Sequence, residues 1–180
     1  MTLPAAVEQL WNDLEASRAQ VLREVDGLSQ AQANWKPGEK DWSVGEIIDH
    51  LTIAEVATGK LTTKLTREAE AAGTLAPFPA ELTSFPPFPE ITGGGEAPAV
   101  VWPQAGKPIA ELRETMKATR ERSRGSIEKL ATLDSTRLVF KHVRFGDLTL
   151  AQWWQLQARH DLLHLAQLRD VKAAPGFPKA

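Results

Sequence analysis

The sequence predicts an all-α protein: four helices in one bundle, with a long proline- and glycine-rich crossover loop between the second and third. Three observations carry this. Apolar residues recur at helical spacing in four separate stretches, and capping residues or prolines mark where those stretches begin. Between the second and third stretches, residues 73 to 108 break every periodicity with eight prolines and Gly93-Gly94-Gly95. An irregular segment that long inside a small domain needs a reason. Helices two and three running in the same direction supply one, because the chain must then travel back the full bundle length between them.

The first helix is expected from Leu3 to about Leu28, with Val7, Leu10, Leu14, Val21, Val25 and Leu28 stepping by threes, fours and sevens. Gly27 and Ser29 mark its end and a new start, a short turn through Ala33. The stretch from Trp35 to Trp42 reads as a loop around Pro37-Gly38. Ser43 followed by Glu46 is a capping box, so the second helix begins at Val44 and runs to about Ala72, where Gly73 stops it. The third starts near Pro108, a residue suited to a first turn. Ile109, Leu112, Met116, Ile127 and Leu130 form its buried side, and Arg113, Lys117, Arg120, Arg122 and Arg124 read as a solvated face. Residues 131 to 148 form a connector, extended at Leu138-Val139-Phe140 and turning at Phe145-Gly146-Asp147. Thr149 caps the last helix, which continues to about Val171 before Pro175 and Gly176. Phe78, Phe85, Phe88 and Trp102 are apolar enough to hold the 73–108 loop on the bundle as an irregular cover. The expectation is therefore one domain, residues 1–180.

Composition narrows the functions. Of 180 residues, 42% are hydrophobic and 24% charged, the usual balance of a globular protein. A net charge of −2 lacks the basic footprint of a nucleic-acid binder. There is no cysteine, so thiolate sites and cysteine nucleophiles are excluded and any metal must use nitrogen and oxygen ligands. Met1-Thr2-Leu3-Pro4 leads directly into the helical pattern, with no signal-peptide character, and no apolar run is long enough to span a membrane. A soluble, cytoplasmic protein is expected.

Chemistry gathers in Arg159-His160-Asp161-Leu162-Leu163-His164. Two histidines four apart on a helix stack over each other and can point at one ion. At about 100° per residue, Trp153, Leu156, Leu163, Gln167 and Val171 lie within about 60° of His160, so both histidines belong to the core side. His50 shares its own helix face with Ile47, Ala54, Ala57 and Leu61, also within about 60°. A single inward histidine is more often a buried residue bonded to a carbonyl. Three are harder to satisfy without something that pairs them. Depth adds a test: His50 lies seven residues after Ser43 and His164 seven before Val171. Antiparallel helices two and four bring them level, and that arrangement is the one that lets helices two and three share a direction. Three histidines with an open position form the usual catalytic rather than structural metal site. Three imidazoles suit zinc, nickel, copper or iron. His142 is a candidate fourth ligand or pocket residue, with Trp153, Gln157 and Gln167 as further candidate pocket residues. Asp161 stands where zinc peptidases carry glutamate, is shorter, and points about 100° away from His160; it reads as a support or surface residue.

These pieces resemble the DinB/YfiT-like superfamily of metal-binding four-helix bundles, over nearly the whole chain. The likeness rests on Trp42-Ser43-Val44-Gly45-Glu46-Ile47-Ile48-Asp49-His50-Leu51, on Phe140-Lys141-His142-Val143-Arg144-Phe145-Gly146-Asp147-Leu148-Thr149, and on His160 through Gln167. Val143 departs from the family, where proline is common. The resemblance implies an up-down-down-up bundle, commonly a homodimer, with His50, His160 and His164 binding a divalent metal such as zinc or nickel. It also implies a metal-dependent enzyme, with thiol-dependent S-transferases among the relatives. A metal-dependent hydrolase and a non-catalytic metal- or ligand-binding module stand as alternatives. The last helix carries a second apolar stripe, Trp154, Ala158, Leu162 and Leu165. Either the loops cover it or a second copy of the chain meets it, and the expectation is a homodimer through this helix.

Overall fold

The computed structural model describes residues 2–89 and 97–179. Gly93-Gly94-Gly95 lie outside the described residues. In chain order the elements are α1 (Ala5–Glu24), the short α2 (Gln30–Asn34), α3 (Val44–Ala71), a single 3-10 turn (Ala99–Val101), α4 (Ile109–Leu130), the strands β1 (Val139–His142) and β2 (Gly146–Thr149), and α5 (Leu150–Ala173). The four long helices make the bundle.

Local chemistry sets the boundaries. At α2, α3 and α5 the residue before the helix is Ser29, Ser43 or Thr149, and each forms a reciprocal capping box with Gln32, Glu46 or Gln152. At α3 the Ser43 hydroxyl accepts the Glu46 N–H (3.2 Å) and the Glu46 carboxylate accepts the Ser43 N–H (2.8 Å). Pro4 and Pro108 precede α1 and α4, where a missing N–H costs nothing. Past α3, Gly73 takes φ +66°, a conformation that glycine adopts without strain.

Helix directions follow from which residues meet. On α1 and α5, Val7 and Leu10 pack in one cluster with Leu150 and Trp154, Arg18 bonds Asp161, and Glu24 bonds Lys172, so these helices are parallel. Leu51 shares a cluster with Leu112, Glu55 meets Arg120, and Leu65 clusters with Ile127, so α3 and α4 are parallel too. Between the pairs the order reverses: Thr62 meets Trp154 while His50 meets His160. The bundle is up-down-down-up.

The parallel α3–α4 pair makes the crossover unavoidable. Its outgoing limb buries Phe85 against the bundle and Phe88 against Leu148 and Leu156. Its returning limb runs over α3, where the Asp49 carboxylate accepts the Gln104 N–H (2.8 Å) and pairs with Lys107 (2.7 Å). The connector before α5 is a hairpin, with Val139 opposite Thr149 and His142 opposite Gly146. The extended stretch expected from sequence falls on β1, but the bend sits earlier than expected, at residues 143–145, and Gly146 and Asp147 of the expected turn open β2 instead.

Three further expectations need correction. Of the stripe Trp154, Ala158, Leu162 and Leu165, only Leu162 is exposed (46%). Trp154 and Ala158 cluster with Val7, Leu10 and Leu14, and Leu165 with Val21 and Val25, so α1 covers that face within the chain. Conversely Leu163, assigned to the core with His160, is exposed. Helix α5 is buried about a different axis than the histidines suggest, because both α1 and α3 pack on it. Arg120 does not belong to the solvated face of α4; it is 4% exposed, inside the bundle. Among the described residues no helix is long and apolar enough to cross a membrane.

Candidate metal centre

His50 projects from α3 two turns after its cap, and His160 and His164 from successive turns of α5. Antiparallel packing brings all three level, and one ring nitrogen from each lies within 4.8 Å of the others. The nitrogens are the three Nε2 atoms: His160 Nε2 is 3.0 Å from Nε2 of both His50 and His164.

The outer nitrogens fix the tautomers. His50 Nδ1 lies 2.8 Å from the Val101 carbonyl oxygen, which can only accept, so Nδ1 carries the proton and Nε2 a lone pair. His164 Nδ1 donates to Gln167 Oε1 at 2.7 Å, with the same result. Both therefore aim lone pairs at His160 Nε2, and a single proton there can satisfy only one of them. Buried polar groups are rarely left so. A cation at the meeting point satisfies all three, and imidazole nitrogens with their far N–H groups held by carbonyl oxygens are the usual donor set for one. The residues fit a divalent metal.

Electrostatics agree. Burial pushes His160 well below its ordinary value, helped by the neighbouring His164 and His50, by Arg18 and by His142. Burial, then His50, brings His164 down to about 4, against the opposing bond to Gln167. Burial also lowers His50, despite the Val101 carbonyl and Asp49. All three are neutral bases at neutral pH, the form that binds metal.

Several supports went unread in the sequence. Trp42, just before the α3 cap, packs its ring 4.7 Å from His50 and stacks over His164 at 6.1 Å. Trp102 meets Trp42 edge-on at 5.6 Å. Asp49, beside His50, holds the loop that delivers Val101 and Trp102. Asp49 next to His50 in the second turn of α3 and the prolines around Trp102 were the available signals.

The candidate pocket residues take different places. Gln167 is a partner of His164. Gln157 is buried and donates to Thr58 Oγ1 (2.9 Å), below the centre. Trp153 donates from Nε1 to the Phe140 carbonyl (3.1 Å) and faces the His142 ring at 5.0 Å. His142 stays outside the cluster, with Nδ1 taken by the main-chain N–H groups of Arg144 (3.1 Å) and Phe145 (3.4 Å).

Asp161, next to His160, is the larger surprise. It is 1% exposed and joins a network to which each bundle helix contributes one charge: Arg18, Glu55, Arg120 and Asp161. Arg18 holds Asp161 through Nε (3.1 Å) and Nη2 (2.9 Å), and Arg120 holds Glu55 through Nε (2.8 Å) and Nη2 (3.1 Å). Cross pairs Arg18–Glu55 (2.7 Å) and Arg120–Asp161 (3.2 Å) close the square. Burial would raise the Glu55 carboxyl, but Arg18 and Arg120 outweigh it and hold it below the ordinary value.

Comparison with known proteins agrees with this architecture. The chain is 25% identical over 160 residues to the uncharacterised protein YuaE of Bacillus subtilis (strain 168), covering 87% of this chain and 93% of YuaE. Its fold is similar to the crystal structure of TT2238, a four-helix bundle protein (TM-score 0.62, 18% identity, 91% of this chain and 98% of that one). The family model of the DinB superfamily matches residues 13–168, a span that takes in His50, both α5 histidines and the hairpin, and the chain belongs to that superfamily.

Proposed function

We propose that the protein is a metal-dependent enzyme in which His50, His160 and His164 hold one divalent cation, zinc or nickel before iron or copper, and that it acts on a small thiol as an S-transferase. The observation that carries this reading is the convergence of three Nε2 atoms, two of them committed as lone-pair donors by Val101 and Gln167. A divalent cation there would supply a Lewis acid that favours the thiolate form of a small thiol. The chain's own groups do the rest. Val101 and Gln167 hold the rings in their binding tautomer, and Trp42 and Trp102 shield one side from water. Membership of a superfamily that is generally metal-binding supports the assignment.

Hydrolysis is the weaker alternative because it needs a free base beside the centre. The carboxylates adjoining these histidines, Asp49 and Asp161, are both committed to ion pairs. A panel of small thiols and electrophiles, assayed with and without chelator on protein of measured metal content, tests the proposal. It expects about one metal per chain and thiol-dependent turnover that chelation abolishes and added metal restores. Metal-loaded protein inert toward every thiol, or turnover indifferent to chelator, would overturn it.

A further inference from the structure

Between the three histidines and the hairpin, α3 and α5 carry half-buried side chains on their histidine sides. Ile53, Ala57 and Leu61 lie within about 60° of His50 on α3. Trp153 and Gln157 lie within about 60° of His160 on α5. Gln157 bonds Thr58 across the two helices and forms a floor, while Ile53, Ala57, Leu61 and Trp153 are only half-buried. The strip is apolar, and it ends at the hairpin.

That end has a different chemistry. His142 packs between Phe145 (4.7 Å) and Trp153 (5.0 Å). Because Nδ1 accepts two main-chain N–H groups, the ring proton sits on Nε2, and among the described residues no acceptor within the chain takes it. Two lysines lie near it: Lys141 precedes it in sequence, and Lys64 lies over the Phe140 ring at 4.8 Å. Asp147, opposite Lys141 in the ladder, is the one carboxylate of the hairpin. Trp153, whose ring faces His142, stands two turns below His160, about 10 Å along α5 at 1.5 Å per residue.

We infer that His142 is a substrate-positioning residue whose Nε2–H binds a carboxylate at the far end of an apolar chain anchored at the three-histidine centre. The inference rests on the metal reading above and adds the substrate class: an ω-carboxylated small thiol with an apolar body of about six carbons, matched to that span. Neutral His142 donates one hydrogen bond, and the nearby cations favour the anion.

The test uses cobalt(II)-loaded full-length protein, whose visible absorption reports ligand binding without turnover. It is titrated with 6-mercaptohexanoate and with hexanethiol. The inference expects both thiols to change the spectrum, with the carboxylate bound about tenfold more tightly, the range of one charge-assisted hydrogen bond. His142→Phe keeps the aromatic packing, and His142→Asn keeps an acceptor for the turn N–H groups. Both should erase the preference and leave hexanethiol affinity unchanged. Cobalt spectra that respond to the thiols but show no preference, or a preference that survives both variants, overturn this inference and leave the metal reading standing. Absence of cobalt binding, or thiols that leave the spectrum untouched, overturns the metal or thiol reading and this inference with it.

Discussion

His160 and Asp161 are neighbours on α5, yet they head two buried polar clusters of opposite construction. Asp161 points among Arg18, Arg120 and Glu55, where two positive and two negative groups cancel and every carboxylate oxygen has donors. His160 points among neutral bases whose lone pairs face one another. The first cluster is closed: it satisfies itself, and it ties one residue from each of the four helices. The second is open: the lone pairs of His50 and His164, fixed by Val101 and Gln167, both face one nitrogen that carries at most one proton. In a bundle core, a polar cluster that balances is evidence for structure, and one that does not is evidence for a ligand.

The sharpest way to break the comparison is to cross it. Asp161→Ala leaves two buried guanidiniums short of partners, and loss of one member of a buried ion network costs on the order of 3–5 kcal/mol. Urea unfolding of the metal-free protein should show that drop. His160→Ala removes a neutral ring and should cost the metal-free fold distinctly less, while metal content falls from about one per chain toward zero. If Asp161→Ala unfolds at the parent's midpoint, or His160→Ala keeps its metal, the two clusters do not divide their roles as described.

Acid should separate them next. The ordinary histidine value is 6.5, while folding brings His164 to about 4 and takes His160 further down. Between about 6.5 and 4 the unfolded chain therefore binds more protons than the folded one. Metal-free stability is flat above that window and falls as pH drops through it, by about 1.4 kcal/mol per pH unit for each such group. Glu55 behaves as a lowered carboxyl: its contribution is present above 4.5 and is lost only as pH falls through its lower folded value. Urea midpoints at pH 7.5, 5.5 and 4 in chelator would show the histidine loss first. Equal midpoints at pH 7.5 and 5.5 would contradict the burial of the histidines as neutral bases.

Most of the fold was legible because its signals are local. Ser43 with Glu46, Pro108 and Thr149 each mark a helix start within the chain itself, and the prolines of 73–108 announce the crossover. The three histidines were legible for a related reason: spacing on α5 and distance from the caps fix direction and depth without tertiary knowledge. The ion square was not. Arg120 lies four residues after Met116 and seven before Ile127, on the apolar stripe itself, as Arg18 lies four after Leu14. A charge on that stripe signals burial, but its partner lies on another helix, and periodicity within one helix says nothing of it. The second face of α5 misled for the same reason, since a helix packed on both α1 and α3 buries more than one stripe.

The smallest expected effect tests what remains of that face. With Trp154, Ala158 and Leu165 covered by α1, a homodimer through α5 has Leu162 and Leu163 left to use, both about half exposed. Leu162 points toward neither polar cluster, so Leu162→Glu should leave metal content unchanged and alter stability of the single chain by no more than about 0.5 kcal/mol, as surface substitutions do. A charge placed in an isologous contact appears twice, once from each copy, so even this mild change would split a dimer built there. The homodimer predicts that the parent sediments at twice 19.8 kDa and the variant at 19.8 kDa, both with metal. A parent that sediments at 19.8 kDa at roughly tens of micromolar removes the dimer, and a variant that stays at twice that mass moves it off α5.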